Sequence, residues 1–409
     1  MTIFAKGQSI VHKLTAAGYC AYFAGGWVRD YLMGSLSQDI DIATSATPEQ
    51  ILALFPHTIS VGIQFGVVVV IVEEHSFEVA TFRKDVSYSD GRRPEAIALC
   101  CPEEDAKRRD FTINGLFFNP LTKEIYDFVQ GRKDIQDGVI RTIGNPYERF
   151  LEDRLRMIRA FRFSARFDFP IEKESKKAIY SLCHQLLPAV AMERIWQEFN
   201  KMASFPRFAQ ALIEMFQAGL LTTIFPELKS LSLEDLQNKV APFPYFPLHT
   251  PTILYLMELF DFLSLEEKIV IALRLKVSCY DRKLIEFTHQ LFAAFKNQDC
   301  SLQQWVYLLA HEDFYWGFHI FSARLKEEEK QEFVAKIQRL TQRLNFFIKR
   351  VQMRQPVVTA AHLQAVGIKP GKEMGTLLKE AEKIAIEQNL ESAEPVLNHL
   401  KQSPLWIFR

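Results

Sequence analysis

At about Pro146 the texture of the chain changes, and that change constrains the fold more than any other feature of the sequence. Before it, turn signals at Gly25-Gly26, Gly34, Gly62, Gly66 and Asp90-Gly91 separate short β-branched segments. Asp39–Ala43 alternates polar and apolar residues, as a half-buried strand does. Val67–Val72 is a continuous apolar run suited to a central strand. Phe77–Phe82 is a further short strand that can pair with it antiparallel, because only Glu73–Ser76 separates them. After Pro146 glycine nearly disappears, and apolar residues recur at helical spacing: Leu151, Leu155, Ile158, Phe161, then Ala165. Helical patterns continue over Lys177–Leu187, Glu193–Met202, Phe208–Gly219, Pro251–Leu263 and Glu327–Val351, with breaks at the proline-rich Ala241–Pro251 and at Gln355-Pro356. The expected fold class is α+β: a small mixed sheet with helices, followed by an all-helical remainder.

Composition excludes several classes. With 409 residues the chain is long enough for two to four domains of roughly 100–200 residues each. Hydrophobic residues make up 48% and charged ones 24%, which argues against disorder throughout. The longest branched-apolar run, Val67–Val72, falls far short of the ~20 residues a membrane span needs. Met1–Leu14 holds no apolar segment before a small-residue cleavage site, so no export is expected. The six cysteines form no C-x-x-C pair and have no histidine at zinc spacing, which predicts reduced thiols in a cytoplasmic protein. Lys+Arg and Asp+Glu are both 49, so a nucleic-acid partner has to be argued from where the charges sit.

The chemistry-bearing residues cluster early. Phe23-Ala-Gly-Gly-Trp-Val-Arg-Asp30 is followed by Asp39-Ile40-Asp41. On a strand, side chains two apart share a face, so Asp39 and Asp41 project together while Ile40 and Ile42 enter the core. Two adjacent carboxylates repel unless a cation sits between them, and all-oxygen ligands suit Mg²⁺ rather than zinc or copper. Gly25 and Gly26 let backbone N–H groups approach a triphosphate with no Cβ in the way, and Val28–Met33 can begin a helix aimed at the same anion. A D-x-D that caps a solvated strand end accounts for the same three residues.

Taken together, the Gly-Gly turn, the helix with Arg29 and the D-x-D strand resemble the signature of DNA polymerase β-like nucleotidyltransferases. Such enzymes need a third carboxylate from a neighbouring strand. Glu78, in Ser76-Phe-Glu-Val-Ala-Thr-Phe-Arg83, stands where one is expected, although a solvent-facing strand edge explains it equally well. Ser89-Asp-Gly-Arg-Arg-Pro94 looks like the family's flexible loop, and Lys107-Arg-Arg-Asp-Phe-Thr-Ile-Asn114 like the motif after it. Asp127–Gly144 matches the segment joining head to neck, Phe150–Phe163 the nucleotide-selecting helix, and Glu193–Met202 the last shared motif. In this order the segments resemble the class II tRNA nucleotidyltransferase/poly(A) polymerase family over residues 20–205. A weaker likeness recurs at Val358–Leu378.

The resemblance implies a nucleotidyltransferase head over residues 1–145, a helical neck over 146–206, a helical body over 207–322 and an RNA-binding tail over 323–409. It implies that Asp39 and Asp41 hold two Mg²⁺ ions, with Glu78 completing the nucleophile side. Gly25, Gly26, Arg29 and Asn114 belong to the nucleotide pocket, and Arg109, Arg159 and Arg162 face the triphosphate. Two departures matter. Asn114 is followed by Gly115 where the motif usually has alanine. Pro247-Leu-His-Thr250 echoes the start of a fused HD domain, but no His-Asp dipeptide occurs, so His249 is expected to be a helix-start residue rather than a ligand.

Asp153 and Arg156 lie three apart, so a continuous helix puts them on one face. A surface salt bridge fits that spacing. So does base readout: a carboxylate accepts from an exocyclic amine while a guanidinium donates to the adjacent ring acceptor. Cytosine and adenine share that edge, whereas uracil and guanine do not, and the family assigns the matching pair this role. Lys336–Arg354 holds six basic residues and no acids, with Phe346 and Phe347 interleaved. Lys336, Arg339, Arg343, Lys349 and Arg350 are therefore candidate RNA contacts.

The expected activity is template-independent addition or repair of the 3′-terminal CCA of tRNA from CTP and ATP. The expected partner is the tRNA acceptor arm, with no membrane and no obligate protein partner. Bacterial poly(A) polymerase is the nearest alternative, but Val61-Gly-Ile-Gln-Phe-Gly66 looks like the CCA-adding form of that segment. CC-adding relatives lack the Asp90–Pro94 loop, whereas an A-adding enzyme keeps it and stays open. From other classes, a non-catalytic RNA-binding protein is expected to have lost a metal carboxylate. An enzyme acting on small molecules does not need the ~200 helical residues downstream.

Overall fold

The stretch punctuated by glycines folds as a sheet, and the glycine-poor stretch as helices. The computed structural model describes residues 1–35, 37–60, 66–85, 97–296 and 300–406. They form two compact units, residues 1–237 and 238–409. In the first unit α1 (Ile3–Ala16) leads into β1 (Ala21–Ala24), α2 (Gly26–Leu32), β2 (Asp41–Thr44), α3 (Pro48–Leu54), β3 (Thr58–Ile59), β4 (Val67–Val72) and β5 (His75–Thr81). A two-stranded pair, β6 (Arg83–Asp85) and β7 (Ile97–Leu99), precedes α4 (Pro102–Lys107), β8 (Leu116–Phe118), β9 (Ile125–Asp127) and α5 (Gly131–Asp137).

The seven-stranded sheet runs in the order β3-β4-β5-β2-β1-β8-β9. Every pairing is antiparallel except β2 with β5, which is parallel. β4 pairs with β5 from Val67 opposite Ala80 to Val72 opposite His75, the antiparallel pairing expected from the short segment between them. Only Glu73 and Glu74 remain in the turn, with Glu73 at φ 54°. One face of the sheet buries Phe23, Ile42, Val68, Val70, Phe77 and Val79 against Ile10, Val11 and Leu14 of α1 and Ile51 of α3. The other face carries Ala24 and Ala43 beside Phe82, Ala106 and Phe117. Small residues on that face leave room beside it, and it is the face on which Asp41 lies, two residues before Ala43.

The helical part of this unit comprises α6 (Pro146–Glu152), α7 (Leu155–Phe167), α8 (Lys173–Leu182), α9 (Met192–Ala203), α10 (Phe208–Gln217) and α11 (Leu220–Ile224). The segment read from sequence as one helix over Phe150–Phe163 is two helices. Asp153 is extended at φ −143°, ψ 104°, and its carboxylate accepts the Leu155 N–H at 3.1 Å, which ends α6 and starts α7. α8 begins at Lys173, four residues before the expected Lys177, because the Glu172 carboxylate caps it through the Ser175 N–H at 2.8 Å.

α12 (Leu233–Val240) crosses the boundary in sequence between the units. The second unit is helical among its described residues: α13 (Thr252–Leu259), α14 (Leu265–Leu275), α15 (Cys279–Lys296), α16 (Leu302–Ala310), α17 (Phe314–Ala323), α18 (Glu327–Gln352), α19 (Ala360–Ala365), α20 (Lys372–Glu387) and α21 (Ala393–Leu400). α13 stops before the expected Leu263, since Ser264 and Glu267 form a capping box that starts α14 afresh. His249 sits at φ 64° just ahead of α13. α18 spans 26 residues and buries Ile337, Leu344, Phe347 and Ile348 in the core of this unit. Glu327–Glu329 in its first turn and Lys349 and Arg350 in its last complement the helix dipole.

Candidate active site

The carboxylates stand at adjoining strand ends. β2 begins at Asp41, so Asp39 lies just before the strand rather than within it, and it is exposed. The parallel register that sets Ile42 opposite Val79 brings Asp41 level with the exposed Glu78 of β5, and on the other side Asp41 pairs with Ala24 of β1. Burial pushes the Asp41 carboxyl up to about 6, the negative charges of Asp39 and Glu78 push the same way, and Arg109 opposes them. Asp41 therefore lies within electrostatic reach of both other acids, and carboxylate oxygens suit a hard divalent cation. Among the described residues no three acidic, histidine or cysteine side chains converge as a complete ligand set.

Gly25 follows β1 at φ 66°, a conformation that disfavours any side chain, and a Cβ there lies 2.9 Å from Arg109 Nη1. The glycine thus admits a guanidinium beside Asp41. Gly26 opens α2 with its added Cβ at 3.5 Å from Arg29 Nη2, which is ordinary contact. Arg109 is held from behind by Asp105, which accepts its Nε at 3.2 Å and Nη2 at 3.0 Å, while its guanidinium lies over the Phe117 ring.

Arg29 is 3% exposed and has little left to offer a ligand. Its Nε and Nη2 donate to Asp30, its Nη1 donates to the Asn114 side-chain oxygen, and its face packs on the Phe163 and Phe167 rings. Asn114 passes the chain on by donating to Asp110 at 3.0 Å. Asp110 in turn accepts Nε and Nη2 of Arg159 at 2.8 and 2.5 Å. Burial works to raise the Asp110 carboxyl, but Arg159, the Asn114 amide and Arg156 overcome it and hold it well below the usual carboxylate range. Arg162 donates its Nε to Glu198 at 2.5 Å, both side chains being almost fully buried. The expected triphosphate cations thus divide. Arg109 stands beside the carboxylates, Arg159 keeps a partly exposed guanidinium, and Arg29 and Arg162 are inside ion pairs.

Asp153 and Arg156 do not pair with each other. Asp153 accepts both terminal nitrogens of Arg194, at 3.3 and 2.8 Å, besides the Leu155 N–H. Arg156 donates to Glu152 at 2.7 Å and to the carbonyl oxygens of Arg149 and Arg108 at 3.0 and 3.1 Å. The break after α6 is the reason, since it takes Asp153 off the helix that carries Arg156. Of four acceptor positions on a carboxylate and five donors on a guanidinium, one and two remain unused by these bonds.

Sequence reasoning passed over Arg194 and Glu198 as individual residues. They lie four apart on α9, hence on one face, and reach Asp153 and Arg162 of the preceding segment. A charged i,i+4 pair inside an apolar helix pattern was the available signal. The candidate loop Asp90–Pro94, and Val61–Phe65 of the segment read as CCA-adding in form, lie outside the described residues. On α18, Lys336, Arg339, Arg343 and Lys349 are exposed, while Arg350 is half-buried and donates to the Pro356 carbonyl at 2.8 Å.

The first unit thus sets acidic residues at adjoining strand ends of a mixed sheet, next to a Gly-Gly turn and an arginine. Residues 21–141 match the family model described as the poly A polymerase head domain, and residues 168–231 match the one described as a probable RNA and SrmB-binding site of polymerase A. Over these two segments the chain is similar to the poly A polymerase head and RNA-binding families. It is 45% identical over 200 residues to a CCA-adding enzyme of Enterococcus faecalis, covering 49% of this chain and 49% of the relative. It is 41% identical over 241 residues to one of Bacillus velezensis, covering 59% of this chain and 60% of the relative. The match thus spans about half to three-fifths of the length of these curated relatives. The fold is that of the Bacillus stearothermophilus CCA-adding enzyme solved with CTP, at TM-score 0.79 and 24% identity, over 98% of each chain. The Thermotoga maritima CCA-adding enzyme complexed with tRNA shares it at TM-score 0.68 and 20% identity, over 97% of this chain and 94% of that one.

Proposed function

We propose that the protein adds or repairs the 3′-terminal CCA of tRNA without a template, using CTP and ATP. The observation that carries the reading is the position of Asp41, level with Glu78 on the neighbouring strand and within electrostatic reach of Asp39, Glu78 and Arg109, next to the Gly25 turn. The relatives' description as CCA-adding enzymes, some solved with CTP, ATP or tRNA, supports the choice of substrates.

In this reading the terminal ribose hydroxyl attacks the α-phosphate and pyrophosphate leaves. Asp39 and Asp41 would hold Mg²⁺, with Glu78 completing the set, and the bound ion would supply charge neutralisation for the transfer. Arg109, fixed by Asp105, offers positive charge beside those carboxylates, and Arg159 offers the donors Asp110 leaves free. The unused acceptor of Asp153 takes the exocyclic amine of cytosine or adenine, and Arg156 donates to the adjacent ring atom. Arg194 fixes the plane of the Asp153 carboxylate from behind. The basic face of α18, in the 323–409 segment assigned to the tail, binds RNA phosphates. The setting we propose for this work on tRNA is the cytoplasm; separately, no helix among the described residues is long and apolar enough to cross a membrane.

The test is extension of tRNAs ending at the discriminator base, at C and at CC, with each nucleotide offered singly. Two additions from CTP followed by one from ATP are expected. Repeated AMP addition to every substrate indicates a poly(A) polymerase, and AMP addition to the CC end alone indicates an A-adding enzyme.

A further inference from the structure

The second unit encloses a cavity of about 250 Å³ between α13, α14, α15 and α17 whose surrounding charges do not balance. Glu258, 7% exposed, accepts Nε of Arg324 at 2.8 Å and also its Nη2, so this pair neutralises itself. Asp261, half exposed at the rim, is paired with Lys239. Two ammonium groups lining the cavity are left. Lys268 is only 9% exposed, and Lys296 is exposed. No hydrogen bond or ion pair reaches either nitrogen among the described residues.

Both lysines act on one spot. His289, which also lines the cavity, is held below its ordinary range first by burial and then by the positive charges of Lys268 and Lys296, with Glu266 opposing. Lys268 itself is lowered by burial, opposed by Asp261 and Glu258 and reinforced by Arg324 and Lys296. An ammonium that opens into a cavity with no protein partner is available to an anion entering there. The apolar part of the wall, among it Ile285, Phe292 and Ile320, lowers the local dielectric and strengthens the attraction. Pockets for drug-sized ligands run from about 300 to 1,000 Å³, so this smaller cavity suits one phosphate group rather than a whole nucleotide.

We propose that this cavity is a binding site for a phosphate group, held between Lys268 and Lys296. Its two sources are free inorganic phosphate and a phosphate of an RNA backbone. The carboxylates nearby do not exclude it, since Glu258 and Asp261 already have cationic partners.

The test uses the full chain, with inorganic phosphate titrated at constant ionic strength by calorimetry and tRNA affinity measured alongside. Lys268→Met keeps the length of the side chain and removes the charge, and Lys296→Gln at the rim serves where Lys268→Met fails to fold. A tenfold or greater loss of saturable phosphate binding, with tRNA affinity unchanged, identifies free phosphate as the ligand. A tenfold or greater loss of tRNA affinity identifies an RNA phosphate. If neither affinity changes in a folded variant, the proposal is overturned. CTP incorporation into a short acceptor hairpin, measured on the same variants, reports separately on the nucleotidyltransferase reading.

Discussion

At the scale of single residues, the carboxylates and the pair proposed to select the base make opposite demands. Asp41 is held in a partly buried position among like charges, which is unfavourable for folding alone and useful for holding a cation. Asp41→Ala and Asp39→Ala should therefore abolish nucleotide transfer in Mg²⁺ while leaving the circular dichroism spectrum intact and without lowering the melting temperature, and wild-type turnover by either variant removes the metal assignment. Asp153 is different, because it already has protein partners and needs only one free acceptor. Losing a hydrogen bond to a charged group costs roughly 1.5–3 kcal/mol, or about one to two decades in specificity. Asp153→Ala should reduce the CTP:UTP ratio of kcat/KM by that amount. An unchanged ratio places Asp153 in a structural pair with Arg194 and nothing more. Arg194→Met should weaken discrimination in the same direction but by less, since it leaves the acceptor and frees only its orientation.

Among the elements, what could be read from the sequence was whatever depends on periodicity. The valine run of β4, its antiparallel partner β5 and the long amphipathic α18 all follow from patterns of apolar residues. The break between α6 and α7 was less legible, because the apolar spacing runs straight through it from Leu151 to Phe161 and only the Asp153 carboxylate, capping Leu155, reveals it. For the site, the acidic residues were legible as a D-x-D motif, whereas the ion pairs that hold the arginines were not. Glu198 reaches Arg162 from 36 residues away, and no local pattern encodes that distance. The pairing of α7 with α9 through Arg162 and Glu198 has an energetic consequence. Removing one member of a buried pair leaves the other charge uncompensated, at a cost of about 3–5 kcal/mol. Glu198→Gln should therefore lower the urea midpoint of the first unit substantially, whereas the double variant Glu198→Gln, Arg162→Met should recover part of the loss. Equal destabilisation in both variants excludes an uncompensated charge as the cause.

Across the whole molecule the charges cancel, with 49 basic and 49 acidic residues, so any affinity for a polyanion has to arise from their sorting. α18 does that sorting: after an acidic first turn it carries basic residues only from Lys336 to its end. At 100° per residue Lys336, Arg339 and Arg343 fall within about 60° of one another, and all three are exposed beside the buried stripe of Ile337 and Leu344. The helix is thus anchored on one side and presents a positive edge on the next. RNA binding through such an edge releases counterions, and each phosphate neutralised contributes roughly 0.7–0.9 to the slope of log affinity against log salt. Replacing Lys336, Arg339 and Arg343 together by Gln should therefore weaken tRNA binding and flatten that slope by about 2. CTP binding without tRNA should be unaffected, because the head carries its own cations. If the slope is unchanged, the basic edge is solvated rather than bound, and the tRNA contacts of this chain lie on other residues.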